Sequence, residues 1–357
     1  MHKQRTEQFL ARLEEAGVPG ALVHKPSNMR WLSGYTGEGL VIAAKGMRAI
    51  VTDFRYAEQA GRQAPGYAVY TVGPEVTAEM IVAELVHKAG MESLAFEDDK
   101  VTVKGMTSLQ EAMRGVRFVP VNREIEKLRA VKDDTEIARI EKACGITSQA
   151  FEHILGFLKP GVTEKEARFE LESAMYRFGA EGAAFDTIVA AGANGSLPHA
   201  IPGDRPIAAG DMVTMDFGAK VEGYCADMTR TVAIGKIDDA KRHVYDTVLE
   251  AQLRALDAIR PGARCRAIDA IARDFIYQAG YEGCFGHGLG HSLGLDIHED
   301  PRFSATSDAV LEKGIVITDE PGVYLPGECG CRIEDTVLVT EDGCRRLTLA
   351  AKELIIL

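Results

Sequence analysis

Short apolar runs alternate with amphipathic helical patterns over roughly the first 125 residues of the chain. Apolar positions recur at helical spacing over about residues 4–16, which predicts a first helix. Two apolar runs flank Lys-Gly in "GLVIAAKGMRAIVTD", a pattern typical of a β-hairpin. Further strands are predicted at "GALVHK", "SLAFED" and "RFVPV", and further helices at "DFRYAEQAGRQA" and "TAEMIVAELVHKAG". These elements indicate a small α/β unit.

Longer helices separated by strand-rich segments follow this unit. Asp133 and Glu136 have the spacing of a capping box, and apolar residues then recur at helical spacing. Thr163 and Glu166 repeat that spacing directly after "KPG", which ends the first long helix. Two more helices, separated by "RPG", are predicted at about 238–259 and 266–279. We therefore expect two domains, residues 1–127 and 128–357.

A short internal sequence repeat lies in the second of these domains. Residues 210–218 read "GDMVTMDFG" and residues 314–322 read "GIVITDEPG". Both have a glycine at each end and, between them, Thr, a variable residue and a carboxylate. Each is followed by a second carboxylate in a β-rich run, "CADMTRTV" in the first case and "CRIEDTVLV" in the second. Two halves that each bring a pair of acids indicate a duplicated unit with one shared site.

Composition and charge narrow the class of protein. The chain of 357 residues is 46% hydrophobic, as in globular proteins, and no apolar run is long enough to span a bilayer. Its net charge of −12 disfavours nucleic acid as a partner, because phosphate binding needs a basic face. Seven cysteines without a paired framework indicate reduced thiols. We expect a cytoplasmic protein without a membrane partner.

Asp216 and Asp227 lie in "TMDFGAKVEGYCADMTRT", which predicts two strands joined by a turn around "KVEG". In a symmetric hairpin centred there the two aspartates are directly opposite, with Cβ atoms about 4.5–5.5 Å apart. Like charges at that distance repel, and a bound cation removes the conflict. The alternative is that both acids point to water. Because Met215 and Phe217 flank Asp216, either the acid or the apolar pair must face inward.

The second half of the repeat offers Glu320 and Glu334. The alternatives are an ordinary strand-ending acid at Glu320 and a surface ion pair between Glu334 and Arg332, and the neighbours Asp319 and Asp335 compete for the same roles. Only the choice of Glu320 and Glu334 preserves the repeat. Four carboxylates and one or two imidazoles suit a pair of divalent ions, and the oxygen-rich set favours Mn²⁺, Co²⁺, Zn²⁺ or Fe²⁺.

Three histidines are concentrated in "FGHGLGHSLGLDIHE". His287 and His291 have the His-x-x-x-His spacing, but the glycines between them disfavour a helix. In an extended chain the two side chains share one face, and the glycines would let a substrate or metal approach the backbone. His298 needs a bend to join them. His199 lies in the loop-rich stretch "NGSLPHAIPGD", where a solvent-exposed histidine is the alternative to a functional one.

The combined motifs resemble the pita-bread metallopeptidases of the aminopeptidase P and prolidase group over nearly the whole chain. "NMRWLSGYTG" and "TDFRYAEQA" resemble the non-catalytic domain of that group. "FDTIVAAGANGSLPHA", "MDFGAKVEGYCADMTRT", "GHGLGHSLGLDIHE", "DEPGVY" and "RIED" match its catalytic domain in order. The resemblance implies an α+β protein, with a small α/β N-terminal domain followed by a pita-bread domain in which a curved antiparallel sheet is flanked by helices.

The resemblance also implies the site residues. Five metal ligands are carried over, with Asp227 and Glu334 bridging two divalent ions per subunit, for which Mn²⁺ is the first candidate: Asp216, Asp227, His291, Glu320 and Glu334. The catalytic histidines fall on His199, His287 and His298, and Arg332 matches an arginine near the bridging acid. Two departures from the group's pattern, Ser292 and the pair Cys329 and Cys331, leave all five ligands in place.

The implied activity is hydrolysis of the bond between an N-terminal residue and a following proline, by attack of a hydroxide that bridges the two ions. His199 or His298 would stabilise the oxyanion, and Glu320 would move a proton to the proline nitrogen. His287 and His298 would contact the proline side of the substrate. The choice between aminopeptidase and dipeptidase stays open, and a homodimer is expected. The alternatives are a methionine aminopeptidase-like or other aminopeptidase on the same fold, and a non-catalytic peptide-binding protein.

Overall fold

The computed structural model describes all residues from Met1 to Leu357 and divides them into two compact units, Met1–Leu128 and Arg129–Leu357. The boundary falls within helix Glu124–Ala130. None of the helices is both long enough and apolar enough to cross a membrane.

The first unit contains one mixed six-stranded sheet in the order β4-β3-β2-β1-β5-β6. Its strands are β1 (Gly20–Val23), β2 (Leu40–Ala44), β3 (Met47–Thr52), β4 (Ala68–Thr71), β5 (Ser93–Phe96) and β6 (Arg117–Pro120). Its helices are α1 (His2–Glu15), α2 (Pro26–Ser33), α3 (Phe54–Gln63), α4 (Ala78–Lys88) and α5 (Val103–Ala112), and α6 is the boundary helix Glu124–Ala130. The predicted hairpin is present as antiparallel β2 and β3.

Three helices, α2, α5 and the boundary helix α6, were not predicted from the sequence. Helix α2 is short and runs from Pro26 to Ser33. Its C-cap Gly34 has a φ of 86°, in the left-handed region that glycine readily adopts. Trp31 and Tyr35 in this region are buried in the core, with exposed fractions of 3% and 0%.

The second unit begins with the two capped helices that the sequence predicted. Asp133 and Glu136 form a complete capping box, as do Thr163 and Glu166, so both helix starts satisfy their free N–H groups locally. The helices of this unit are α7 (Asp134–Leu155), α8 (Glu164–Arg177), α9 (Asp239–Ala258) and α10 (Cys265–Ile276), followed by the π-helical turn Tyr277–Tyr281. Helices α9 and α10 pack against the sheet through a continuous apolar core.

Every strand pair of the second unit is antiparallel. The strands of the first half are β7 (Gly182–Ala183), β8 (Ile188–Ala191), β9 (Met212–Phe217), β10 (Ala219–Val221), β11 (Tyr224–Cys225) and β12 (Met228–Ala233). Those of the second half are β13 (Gly290–Ser292), β14 (Glu299–Phe303), β15 (Val316–Asp319), β16 (Gly322–Leu325), β17 (Cys329–Arg332), β18 (Asp335–Val339) and β19 (Cys344–Arg346). The sheets run β12-β9-β8, β11-β10-β7, β14-β13-β15-β18-β19 and β16-β17.

The sequence repeat corresponds to two antiparallel strand pairs, β9 with β12 and β15 with β18. The predicted register of the first pair was wrong by two residues, because Asp216 is opposite Thr229 and not opposite Asp227. The turn is centred on Glu222 and Gly223, whose φ values of 47° and 77° make the two-residue hairpin turn that matches strand twist. A slip of two residues preserves the face of a strand, so both aspartates still project to the same side.

The two halves meet along β12. Thr229 accepts a backbone hydrogen bond from the Glu334 amide at 3.0 Å, and the Thr231 hydroxyl donates to the Arg332 carbonyl at 2.9 Å. The ends of both strand pairs are therefore adjacent, which brings the acids of the two halves together.

Candidate active-site cavity

A cavity of about 660 Å³ opens where the two halves meet. It is lined by all nine residues that the sequence singled out, namely His199, Asp216, Asp227, His287, His291, His298, Glu320, Arg332 and Glu334. These residues come from separate strands and loops of the second unit. The cavity is lined by neither Asp319 nor Asp335, the acids that competed with Glu320 and Glu334.

Asp227, His291 and Glu334 form the tightest group in the cavity. One possible ligand atom from each lies within 4.8 Å of the others, and all three residues are buried. His291 Nε2 is 3.5 Å from an Asp227 carboxylate oxygen and 3.4 Å from an oxygen of Glu320. This spacing lets the three residues converge on one ion.

The four cavity acids, Asp216, Asp227, Glu320 and Glu334, share one compensating cation, Arg332. Burial raises the pKa of Asp227 and Glu334 well above the ordinary values, and repulsion between the acids raises them further. Burial also raises the pKa of Glu320 to about 8, with repulsion from Asp216 adding to the effect and Arg332 opposing it. Arg332 is the only cation bonded to the group.

Two buried carboxylate oxygens of this group have no hydrogen-bond partner in the protein. They are Oδ1 of Asp216 and Oε1 of Glu334. The second oxygen of each side chain is satisfied, since Arg332 donates to Asp216 Oδ2 at 2.6 Å and the Thr229 hydroxyl donates to Glu334 Oε2 at 2.6 Å. An unpartnered buried acceptor is costly, so a divalent cation fits these residues both in charge and in bonding.

The imidazole of His291 has the tautomer and the protonation state that a metal ligand needs. Its Nδ1 is 3.1 Å from the Ser292 carbonyl, which can only accept, so the ring proton belongs on Nδ1. Burial lowers the pKa of His291 to about 3, and the neighbouring His298 contributes in the same direction. The neutral ring therefore presents the lone pair of Nε2 to the acids, the form in which histidine binds metals.

A hydrogen-bonded chain links Arg332 to His287 through Tyr324. Arg332 Nη1 donates to the Tyr324 hydroxyl at 2.8 Å, and that hydroxyl is 2.8 Å from His287 Nε2. His287 Nδ1 faces the Gly288 carbonyl at 2.8 Å, so it carries the proton and leaves Nε2 to accept from Tyr324. Burial, followed by the charge of Arg332, lowers the pKa of His287 to about 4.

The remaining predicted histidines lie toward solvent. His199 and His298 are exposed, although both line the cavity. The His298 ring contacts the His291 ring edge-on, with 4.4 Å between the ring centroids. The bend that His298 needs is supplied by the segment between β13 and β14.

Three residues hold this site in place although the sequence alone did not indicate a role for them. Tyr324 lies in the quoted stretch "DEPGVY", Thr229 bonds both Arg332 and Glu334, and the Thr318 hydroxyl donates to Glu320 at 3.0 Å. The threonine common to both halves of the repeat was visible in the sequence, since it is Thr214 in one half and Thr318 in the other. Its partners depend on the folded arrangement of distant strands.

Gly288 and Gly290 line the cavity, and they also meet a packing requirement that was not predicted from the sequence. A Cβ atom at Gly290 would lie 2.1 Å from the Thr318 carbonyl oxygen, and one at Gly288 would lie 2.6 Å from the carbonyl oxygen of Phe303. The close approach is made by neighbouring strands of the protein itself, so packing requires glycine at these positions.

The two departures from the family pattern lie outside the cavity lining. Ser292 is fully buried, and its hydroxyl has no partner in the protein. Cys329 and Cys331 are free thiols buried in β17.

An antiparallel unit that brings acids from two repeats and a neutral histidine into one cavity is typical of a metal-binding site. The model of metallopeptidase family M24 matches residues 138–341, and the chain belongs to this family. The model of the creatinase/prolidase N-terminal domain matches residues 5–131. The pita-bread fold and the group to which the sequence was assigned are thereby confirmed.

Relatives extend over the whole chain. A Xaa-Pro dipeptidase of Pyrococcus furiosus is 35% identical over 99% of this chain and 100% of its own length. The solved structure of a Xaa-Pro dipeptidase from Bacillus anthracis is 42% identical, covers 100% of both chains and superposes with a TM-score of 0.96. An X-Pro aminopeptidase structure from Thermotoga maritima is 35% identical, covers 97% of this chain and 100% of its own, and has a TM-score of 0.90.

Proposed function

We propose that this protein is a Xaa-Pro dipeptidase that hydrolyses the bond between an N-terminal residue and a following proline. The observation that supports the proposal most strongly is the convergence of the buried residues Asp227, His291 and Glu334 in a cavity that Asp216 and Glu320 also line. Membership of a metallopeptidase family and the dipeptidases among the relatives support the same activity. Xaa-Pro aminopeptidase is the second candidate, since one similar structure bears that name.

In this proposal the five predicted ligands would hold two divalent ions, and Mn²⁺ is the first candidate. When bound, such ions polarise a carbonyl oxygen and lower the pKa of a coordinated water. Asp216 would use Oδ1, because Arg332 already occupies Oδ2. His291 would use Nε2, because its Nδ1 is bonded to the Ser292 carbonyl.

The other residues of the cavity would bind the peptide and move its proton. Glu320, which lines the cavity and lies 3.4 Å from His291 Nε2, would carry a proton to the nitrogen of the leaving proline. The exposed rings of His199 and His298 are accessible to a substrate and would donate to its carbonyl oxygens. Both nitrogens of His287 are engaged within the protein, so it would contact the proline side through its ring carbons.

The proposal is tested by assaying the protein with Mn²⁺ or Co²⁺ on a Xaa-Pro dipeptide, a longer Xaa-Pro peptide and matched Xaa-Ala peptides. We expect cleavage of the dipeptide, slower cleavage of the longer peptide and none of the Xaa-Ala controls. Glu320→Gln should abolish turnover with the fold intact, while Glu328→Gln, at an exposed acid outside the cavity, should behave as wild type. Near-wild-type activity of Glu320→Gln would overturn the scheme.

Three further expectations accompany this proposal. They are the domain limits 1–127 and 128–357, a homodimeric assembly and a cytoplasmic location. Size measurement in solution tests the assembly, and limited proteolysis followed by mass spectrometry tests the domain limits.

A further inference from the structure

The loop from Gly192 to Gly203 carries His199 into the cavity without the support of a strand. Its only regular element is the 3₁₀ turn Gly192–Ser196, and its residues 198–202 line the cavity. The exposed imidazole of His199 has no hydrogen bond to the protein, so the loop backbone sets the position of its Cβ and with it the part of the cavity that the ring can reach. Whatever fixes the loop therefore fixes His199.

Glu164 connects both ends of this loop. It lies in the first turn of α8, is 1% exposed and does not line the cavity. Its Oε1 accepts from the Ala191 amide at 2.7 Å, immediately before the loop, and its Oε2 accepts from the Gly203 amide at 2.8 Å, at the end of the loop. The side-chain amide of Asn194 donates to both oxygens, at 3.1 and 2.9 Å. One carboxylate thus closes a loop of irregular backbone.

The geometry points to Glu164 as a positioning residue for His199, an inference that rests on the proposed function because it assigns His199 a part in turnover. A carboxylate is required because all four contacts come from N–H donors, and both oxygens must accept. Glutamine has the same shape, but its NH₂ group would face one of these donors and open one side of the loop. The far side of the loop is held separately, where Arg332 donates to the Pro198 carbonyl at 3.2 Å.

Glu166 provides a matched control two residues further along the same helix. Its carboxylate completes the capping box with Thr163 and bonds no residue of the loop. Glu166→Gln therefore perturbs the start of α8 without releasing the loop. We expect Glu164→Gln to lower kcat/KM on a Xaa-Pro dipeptide by roughly 10- to 100-fold, the range for a displacement of about 1 Å near the chemistry. Glu166→Gln should change kcat/KM by less than about twofold.

A double-mutant cycle separates positioning from general destabilisation. If Glu164 acts through His199, Glu164→Gln should cause no further loss of kcat/KM in a His199→Ala background. Additive losses would show that the effect of Glu164 does not pass through His199 and would overturn the inference. Metal content, measured in each variant, should equal that of the wild type.

Hydrogen–deuterium exchange supplies a readout that needs no activity. Amides in peptides covering 192–203 should exchange faster in Glu164→Gln than in wild type, while Glu166→Gln leaves them unchanged. Unchanged exchange in Glu164→Gln would contradict the inference even if activity fell. An inactive wild-type protein would instead refute the proposed function, and the exchange experiment would still decide whether Glu164 holds the loop. If Glu164→Gln does not fold, Asn194→Ala removes two of the four contacts and is measured in its place.

Discussion

Glu334 and Asp335 are neighbours in the chain and both are buried, yet their carboxylates lie in opposite electrostatic surroundings. Successive side chains of an extended chain point to opposite faces, so Glu334 faces the cavity and Asp335 faces the core behind it. Burial alone would raise the pKa of Asp335, but attraction to Arg230 and Lys352 outweighs it and lowers that pKa. The pKa of Glu334 is raised, because burial and the other cavity acids act together.

Asp335 and the side chains bonded to it form an ionic network in which cations of the protein balance the charge of the acid. Asp335 accepts from Arg230 at 2.7 Å, from Lys352 at 2.9 Å, and from the side chains of Gln252 and Thr348. The four cavity acids share a single arginine and leave two oxygens unpartnered. Burial by itself therefore does not identify a functional acid. Several buried acids that converge on one cavity with a single cation between them, and not any one uncompensated acid by itself, indicate a missing cation.

The largest effect on folding should come from removing the charge of the compensated acid. Asp335→Asn leaves Arg230 and Lys352 charged and buried, which should reduce the free energy of unfolding at pH 7 by roughly 3–5 kcal/mol. Because the folded pKa of Asp335 is lowered, its contribution is complete above the ordinary value and is lost as the pH falls through the folded value. Denaturant unfolding followed at several pH values measures both effects.

Asp319 is the matched control for Asp335. It lies opposite Asp335 in the strand pair, is equally buried, and neither of its oxygens has a hydrogen-bond partner. Burial and repulsion from Asp335 raise its pKa, so Asp319→Asn should not reduce stability at pH 7. Equal losses in Asp319→Asn and Asp335→Asn would show that charge compensation does not distinguish these acids.

A smaller effect on stability is expected from the cavity acids in protein treated with a chelator. Its dependence on pH has the opposite sign to that of Asp335. The pKa of Glu320 is raised from 4.5 to about 8, so the folded protein binds more protons than the unfolded chain between these values. Stability should therefore fall as the pH rises from about 5 to 8. Glu320→Gln, which cannot ionise, should reduce this slope. A metal-free protein whose denaturation midpoint is flat over this range, with the variant identical to wild type, would contradict the assignment.

Local patterns predicted the parts of the fold that depend on neighbouring residues. The capping boxes at Asp133 and Thr163 need only the next three residues, and both formed as expected. The hairpin register was wrong because two readings of "KVEG" place the turn one residue apart, and only the backbone angles at Glu222 and Gly223 separate them. The side-chain face was still correct, since strand periodicity tolerates a slip of two.

The sequence indicated the acids and histidines that line the cavity, but not the residues that hold them in place. The repeat and the family resemblance identified acids and histidines by residue type and spacing. The contacts of Tyr324, Thr229 and Glu164 join residues that are distant in sequence, such as Glu164 and Gly203 or Thr229 and Glu334. Such pairs arise only when the strands have assembled. The same reason explains why the close approach of the Thr318 carbonyl to Gly290 was not predicted.

The central claim, that the uncompensated acids hold divalent ions, is tested most directly by metal-dependent thermal unfolding. The Tm of chelator-treated wild type and of Glu334→Gln would be measured at pH 7 with increasing Mn²⁺. We expect a rise for wild type, corresponding to about 2.7 kcal/mol when Mn²⁺ reaches 100 times its Kd, and a much smaller rise for the variant. A wild-type Tm that does not respond to Mn²⁺, or an equal rise in both proteins, would contradict it.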